Sequence, residues 1–413
     1  MQQETVSVVM VGIGGFGASY LQEIFSKHNN ENGLVIKGAV DPAADKAEYF
    51  SLLRKKQIPV YSSLEEFYQT NTAQLAVISS PIQFHCTQSI AALSRGSKVL
   101  CEKPLSASIE EGLKMIKARD KTGIFLDIGY QWSHSRALLE FKSDVLAGVL
   151  GKPLTARTAV VWPRDNAYYN RNNWAGRIHD HRGRMVLDSV ANNAAAHHLH
   201  NMFFVLGDEI NKSCSPQSLS AELYRLNDIE NYDTAVTRII TRDKVKLLYY
   251  ATHAAETEVN WTTFAFEFEK ARVVFGDLEE GEPGQITALF TDGRKKMYGN
   301  PDRERKRKLW LAVEAVKEDD DFVFCGPEAA LPQTIAVNAM QKAGEPVENF
   351  PERIREFDRD ESRYQVKGLA DIIAAAYEQR KLFSEMGIDW AHSGKKVTID
   401  YGGTGITIQE KKN

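Results

Sequence analysis

The chain is poor in the residues that mark out several protein classes. Cysteine occurs four times in 413 residues (Cys86, Cys101, Cys214, Cys325), never as CxxC. That excludes a disulfide framework or zinc ribbon and leaves reduced thiols as the expectation. No apolar run approaches the roughly 20 residues of a membrane span. The first strand begins within a few residues of Met1 with no leader-like stretch before it, so a cytoplasmic protein is expected. Charge of one sign is also lacking: the net charge of −4 gives no reason to expect a nucleic-acid or membrane partner. Internal repeats and low-complexity segments are absent. What is there is the composition of a globular protein, 43% hydrophobic and 26% charged, long enough for about two domains. Two charge runs, Arg303–Lys308 (RERKRK) and Glu318–Asp321 (EDDD), are expected to answer each other across a helix as a solvated face.

The organising stretch is Thr5–Gly17, TVSVVMVGIGGFG, followed by ASYLQEIFSK. Val6, Val8, Val9 and Val11 predict a buried strand, and the apolar spacing after the glycines is helical. Gly12-Ile13-Gly14-Gly15-Phe16-Gly17 then sits between strand and helix, the context in which GxGxxG binds a dinucleotide. Gly12 permits the tight turn, Gly14 lets a pyrophosphate approach, and Gly17 lets the helix pack close. The N–H groups at the helix start face the phosphates.

A polar loop, Lys27–Gly33, leads to a second strand, Leu34–Val40, ending at Asp41-Pro42. Asp41 can accept both ribose hydroxyls of an adenosine and would repel a 2′-phosphate, which favours NAD. Lys46 keeps NADP open, and a strand-end Asp opening a turn is the plainer role. Further strands at Gln74–Ser79, stopping at Ser80-Pro81, and at Lys98–Cys101 alternate with helices over Ala43–Lys56 and Phe84–Arg95. This rhythm predicts a doubly wound parallel sheet. Ligands then collect beyond the carboxyl ends of the strands, which places Gly12, Asp41, Ser79, Ser80 and Glu102 on one rim.

GIGGFG, AVDP, SSPIQFH and CEKP, in this order, resemble the Gfo/Idh/MocA oxidoreductases, the relatives of glucose–fructose oxidoreductase and inositol dehydrogenase. The similarity runs from the N-terminus to about residue 385. It implies a Rossmann domain at 1–129 and an α+β domain at 130–413 with a large open, mostly antiparallel sheet that serves substrate and subunit pairing. Lys103, fixed by Pro104 at a strand end, can polarise a hydroxyl and stabilise a developing alkoxide. The resemblance puts it between nicotinamide and substrate, with Glu102 and His85 lining the cofactor pocket, although His85 at a helix start can equally be a cap. Tyr130 follows at the exit from the first domain as a substrate contact. Many relatives carry an arginine and an aromatic near Ser133 and His134, so this chain departs from the pattern there.

In the second half, Thr155–Trp162, Thr234–Tyr250 and Thr262–Phe275 read as long strands. Relatives place an Asp or Asn four residues before a histidine on a helix ending in Leu-Gly, which points to Asn193 and His197, with Asp188 a rival partner. A histidine can take and return a hydroxyl proton at neutral pH; a packed helix histidine is the alternative. His197, His198 and His200, with His179 and His181 upstream, invite a metal reading, but adjacent histidines on a helix point in different directions and no HExxH or matched acidic set is present, so no metal is expected. Arg164–Arg184 is rich in aromatic and forked polar groups that suit sugars, with Arg171 and Trp174 foremost, though it also fits a long exposed loop. Glu361–Phe383 reads as one amphipathic helix that in relatives packs near the first domain, and Lys395–Ile408 as an extra β-ribbon. The implied activity is an NAD(P)-dependent dehydrogenase or reductase acting on the CH–OH group of a sugar, cyclitol or related polyol in a homo-oligomer. A glycosidase working by transient oxidation and elimination, or a silent cofactor sensor, are the competing readings.

Overall fold

A computed structural model describes residues 5–26, 33–276, 278–403 and 405–410. All but the last residue of the Lys27–Gly33 loop falls outside them. The chain divides into two units. One takes the described residues through Ser106, then Glu110–Ser135 and Glu304–Leu331; the other takes Ala107–Ile109, Arg136–Arg303 and the residues from Pro332 onward.

In the first unit the opening apolar run becomes β1 (Val6–Val11), followed by β2 (Leu34–Val40), β3 (Val60–Tyr61), β4 (Leu75–Ile78), β5 (Lys98–Cys101) and β6 (Leu126–Ile128). They form one sheet in the order β3-β2-β1-β4-β5-β6, every pairing parallel. β1, β4 and β5 are apolar because helices cover both faces of such a sheet. The order reverses between β1 and β4, so a crevice is expected where β1 ends at the glycine turn and β4 ends just before Ser79. The first helix, Phe16–Ser26, buries Tyr20, Leu21 and Ile24. Ser63 caps the helix Leu64–Thr70 by accepting from the Glu66 N–H at 3.1 Å.

A division at residue 129 leaves out a late return to this unit. The helix Arg307–Lys317 carries Leu309, Ala312, Val313 and Val316 on one stripe, and these join Val8, Met10, Val77 and Leu100 in one core. The charge runs do not behave as one solvated face. Lys308 is fully buried while Arg303 and Arg305 stay exposed. Asp319 and Asp321 close instead on Lys98 Nζ at the start of β5, at 3.4 and 3.2 Å. Pairing between distant segments has overridden the pattern of neighbouring charges.

The second unit is built on an eleven-stranded mixed sheet. Its strands are β7 (Pro153–Val161), β8 (Pro216–Arg225), β9 (Thr234–Thr241), β10 (Lys246–Thr252), β11 (Trp261–Phe268), β12 (Ala271–Gly276), β13 (Ile286–Phe290), β14 (Lys295–Gly299) and β15 (Glu348–Asn349). A separate hairpin pairs β16 (Arg355–Asp358) with β17 (Arg363–Val366), and β18 (Lys396–Asp400) and β19 (Thr407–Glu410) complete the main sheet. Its order is β14-β13-β12-β11-β7-β10-β9-β8-β18-β19, with β15 beside β8. Only β7–β10 and β15–β8 among these pairs are parallel.

Two strands and one helix expected as continuous are each interrupted, whereas the expected ribbon is present. Thr234–Tyr250 and Thr262–Phe275 are each a hairpin rather than a single strand, turning at Arg242–Val245 and at Glu269-Lys270; alternation continues across a tight turn, so periodicity alone misses it. Glu361–Phe383 is not one helix: Arg363–Val366 is β17, Gly368 breaks the chain with φ 75°, and the helix runs only Leu369–Gln379. Leu369, Ile373, Ala376 and Tyr377 pack with Ala159, Val161, Leu248 and Tyr250 in the second unit's own core. The stretch at Lys395–Ile408 is a ribbon, β18–β19, which extends the main sheet beside β8. Among the described residues no helix is long and apolar enough to cross a membrane.

Candidate active site

The glycine turn is shaped by steric need. Gly12 has φ 78°, and a Cβ there would lie 2.7 Å from the Ser80 amide nitrogen; one at Gly17 would lie 2.0 Å from the Gly12 carbonyl oxygen. Only hydrogen fits at either place. Gly14 faces open space, with nothing within 4 Å of a Cβ built on it, which leaves the turn's backbone approachable. Asp41 Oδ2 accepts from the Ile13 N–H at 3.1 Å and Oδ1 from the Ala43 N–H at 2.9 Å. One carboxylate thus ties the end of β2 to the turn after β1 and borders a cavity of about 550 Å³ that Phe50, Arg54 and Tyr61 also line. Ser79 Oγ donates to the Gly12 carbonyl at 2.8 Å, and Ser80 Oγ to Gln88 Oε1 at 2.5 Å. Pro81 leads into a short 3₁₀ turn at Ile82–Phe84. The residues fit a dinucleotide: a bare glycine turn and helix start for phosphates, and a carboxylate beside them for a ribose.

Lys103 stands on the same rim, just past β5, half-buried and braced from both sides. His85 is fully buried, its ring nitrogens 2.8 Å from the Pro104 oxygen and 2.9 Å from the Ser80 oxygen. Burial lowers its pKa. The neutral ring carries one N–H, which donates to one of these two carbonyls, and the ring packs between the loop after β5 and the end of β4. On the other side Glu102 is buried, and its Oε2 accepts from the Lys103 N–H at 3.3 Å. Its Oε1 accepts from the Tyr20 hydroxyl at 2.5 Å and from Lys308 Nζ, which also donates to the Gly129 carbonyl at 2.6 Å. Burial disfavours the charged Glu102, but Lys308 beside it and the bonds from Lys308 and Tyr20 outweigh burial, and its pKa is lowered. A Cβ at Gly129 would lie 2.9 Å from both Glu102 Oε1 and Lys308 Nζ, so it would displace the tips of this pair. Lys306 donates to Ser19 Oγ at 2.5 Å and lies 4.3 Å from the Phe16 ring centroid. Burial, reinforced by Lys308, pushes its pKa down to about 8.

Sequence reasoning missed Tyr20 and Lys308. Lys308 was hidden in a basic run whose ordinary meaning is exposure. The signal available was the apolar stripe from Leu309 onward, which requires some residue of the first helical turn to face inward. Tyr130 is fully buried, and its carbonyl lies 2.9 Å from His134 Nδ1. His134 is buried against Asp127 at 2.8 Å, so at the place where the chain departs from its relatives it carries a structural pair.

In the second unit, Asn193 and His197 do not share a helix face. The helix is Ala196–Val205, and Asn193 lies in the turn before it, donating to Asp188 Oδ1 at 2.8 Å. Asp188 Oδ2 also accepts from the Gly176 N–H at 2.6 Å. Both residues weighed as the histidine's partner therefore belong to one bonded pair. The three neighbouring histidines separate by burial. His200 is fully buried and stacks on Phe204, and His198 is buried with its ring 5.3 Å from Trp162. Burial pushes the His198 pKa down to about 4. His197 keeps partial exposure. Arg171 lies 3.8 Å from the Tyr168 ring centroid and 5.4 Å from that of Trp174. Among the described residues no group of three or more His, Cys, Asp or Glu is arranged to hold a metal ion.

Residues 6–130 match the Gfo/Idh/MocA family, described as an oxidoreductase family with an NAD-binding Rossmann fold. Inositol 2-dehydrogenase of Salmonella typhimurium is 25% identical over 153 residues, 36% of this chain and 44% of that protein. The 2,7-anhydro-N-acetylneuraminate hydratase of Mediterraneibacter gnavus is 24% identical over 156 residues, 38% and 40% respectively. The chain thus spans under half the length of these curated relatives. The crystal structure of the WlbA dehydrogenase from Bordetella pertussis, in complex with NADH and UDP-GlcNAcA, shares the fold: TM-score 0.66 at 18% identity, covering 83% of this chain and 97% of that one. The first unit's sheet order, glycine turn and family match agree, and residues 6–130 belong to the Gfo/Idh/MocA family as its NAD-binding Rossmann domain.

Proposed function

We propose that the protein is an NAD-dependent oxidoreductase that interconverts a secondary hydroxyl and a carbonyl on a sugar, cyclitol or related polyol. The observation that carries this reading is Lys103, braced through Glu102 and Pro104 on the rim that also holds the glycine turn. Gly12–Gly17 would hold the pyrophosphate, Asp41 the adenosine ribose, and Ser79, Ser80 and Pro81 would flank the path toward Lys103. Asp41 favours NAD, since its carboxylate repels a 2′-phosphate. Bound nicotinamide supplies the hydride acceptor or donor. The Lys103 ammonium polarises the reacting hydroxyl and stabilises negative charge on its oxygen. His197 takes the hydroxyl proton and returns it in the reverse direction. Asn193, held by Asp188, orients a neighbouring hydroxyl, and Arg171 and Trp174 border the sugar. The chain is proposed to work as a cytoplasmic homo-oligomer, which light scattering on the purified protein checks.

The test is a thermal shift with NADH and NADPH, then a sugar and cyclitol panel followed at the reduced-nicotinamide absorbance. Lys103→Met should keep the NADH shift and lose turnover by 10²-fold or more, in the range of a lost acid–base group. Full turnover in that variant ends the assignment. The similarity to a hydratase favours a second reading, in which oxidation is transient and no net redox change results. Nicotinamide retained through purification, with product formed and no cofactor consumed, would select it.

A further inference from the structure

Where β7 ends, Trp162-Pro163-Arg164 leads into a short turn of helix, Asn166–Asn170, capped by Asp165, whose Oδ1 accepts from the Tyr168 N–H at 2.8 Å. Two guanidinium groups lie against the Tyr168 ring, Arg171 at 3.8 Å and Arg164 at 5.1 Å from its centroid. Among the described residues neither forms an ion pair with a carboxylate: Arg164 donates to the Pro163 carbonyl, and Arg171 to the Tyr168 carbonyl. A third guanidinium arrives from β17. Arg363 is only 7% exposed, its Asp358 partner stands off at 3.8 Å, and its Nε finds no acceptor among the described residues.

Arg164, Arg363, Tyr168, Pro163, Asp165 and Glu361 line one cavity of about 480 Å³, within the range of small-molecule sites. The Asp165 carboxylate is committed to its cap, and Glu361 is exposed. Guanidinium forks suit carboxylate and phosphate oxygens, and an aromatic wall suits a sugar face. His253 lies in the field of the same arginines. It is buried beside Tyr168 and Tyr169, and burial, then Arg164 and Arg171, holds its pKa well below the ordinary value. The cluster adjoins the helix that carries His197, because the Trp162 ring lies 5.7 Å from the Arg164 guanidinium and 5.3 Å from the His198 ring.

We propose that this cavity receives the anionic group of the substrate, so that the sugar turned over carries a carboxylate or a phosphate. The inference rests on the oxidoreductase reading for the word substrate and on the arginines alone for the anion. It is tested by calorimetric titration of the intact, NADH-loaded protein with glucuronate, glucose 6-phosphate and glucose. At least one acid should bind ten-fold or more tighter than glucose, with affinity falling as salt rises. The better acid identifies the group. Arg164→Gln should weaken that acid at least ten-fold and leave glucose and NADH binding unchanged. If Arg363→Gln does not fold, Arg363→Lys, which keeps the charge but loses the fork, should weaken it less than Arg164→Gln. Equal binding of glucose and both acids, or acid affinity unmoved in Arg164→Gln, overturns the proposal. Acid binding that persists in a protein unable to bind NADH keeps the anion site and ends the oxidoreductase reading.

Discussion

Lys308 and Glu102 form a buried ion pair, and such pairs are best judged by what removing one partner costs. Lys308→Met strands the Glu102 carboxylate and should lower unfolding free energy by about 3–5 kcal/mol in urea titration. The double variant with Glu102→Gln should recover most of that, because a neutral amide costs far less to bury. Additive losses would mean that the two side chains do not work as a pair. His198 makes a pH-dependent case. Its pKa, about 4 against an ordinary 6.5, means that the unfolded chain takes up a proton which the folded chain refuses. Stability from this residue is full above pH 6.5 and is lost as pH falls toward 4, by on the order of 3 kcal/mol. His198→Phe should therefore lose less stability than the parent between pH 7 and 4.5. Identical slopes would clear His198 of the effect. His85, buried with the same direction of shift, leaves a remaining slope in both proteins.

At the scale of elements, the glycine turn gives the sharpest expectation. Gly17→Ala puts a methyl group 2.0 Å from the Gly12 carbonyl oxygen, so helix and strand must part. The variant should lose the NADH-induced thermal shift even where it remains folded; a full shift would show that the turn is not where the cofactor sits. These elements were legible in the sequence because their causes are local. A strand, a turn that only glycine fits and a helix stripe each depend on neighbours a few positions away. Asp41 was legible for the same reason, one strand further on. What was not legible depends on distant contacts. The histidine helix begins only at Ala196, so Asn193 lies in the turn before it and bonds Asp188. Hairpins at Arg242–Val245 and Glu269-Lys270 passed as long strands because alternation continues through both arms. Lys308 looked like one more exposed cation, for nothing nearby announces the carboxylate it meets.

The molecule as a whole shows why a boundary drawn after residue 129 does not cut out a complete folding unit. Without Leu309, Ala312, Val313 and Val316 the core around Val8, Met10 and Val77 is open on one side. A fragment ending at Ser135 should therefore bind a hydrophobic dye and unfold without a cooperative transition, as followed by circular dichroism. Supplying Glu304–Leu331 through a short linker should restore cooperativity. A fragment that folds sharply without it would show the returning helix to be dispensable.

Lys308 lies 206 positions beyond the glutamate it neutralises. On the ribosome, the nucleotide-binding half is thus translated long before its last counter-charge exists, and the chain must make most of the other half first. Until that lysine emerges, the acid next to Lys103 has Tyr20 but no cation from the returning helix. The buried surroundings of Glu102 are in this way completed only when nearly three-quarters of the polypeptide has been made.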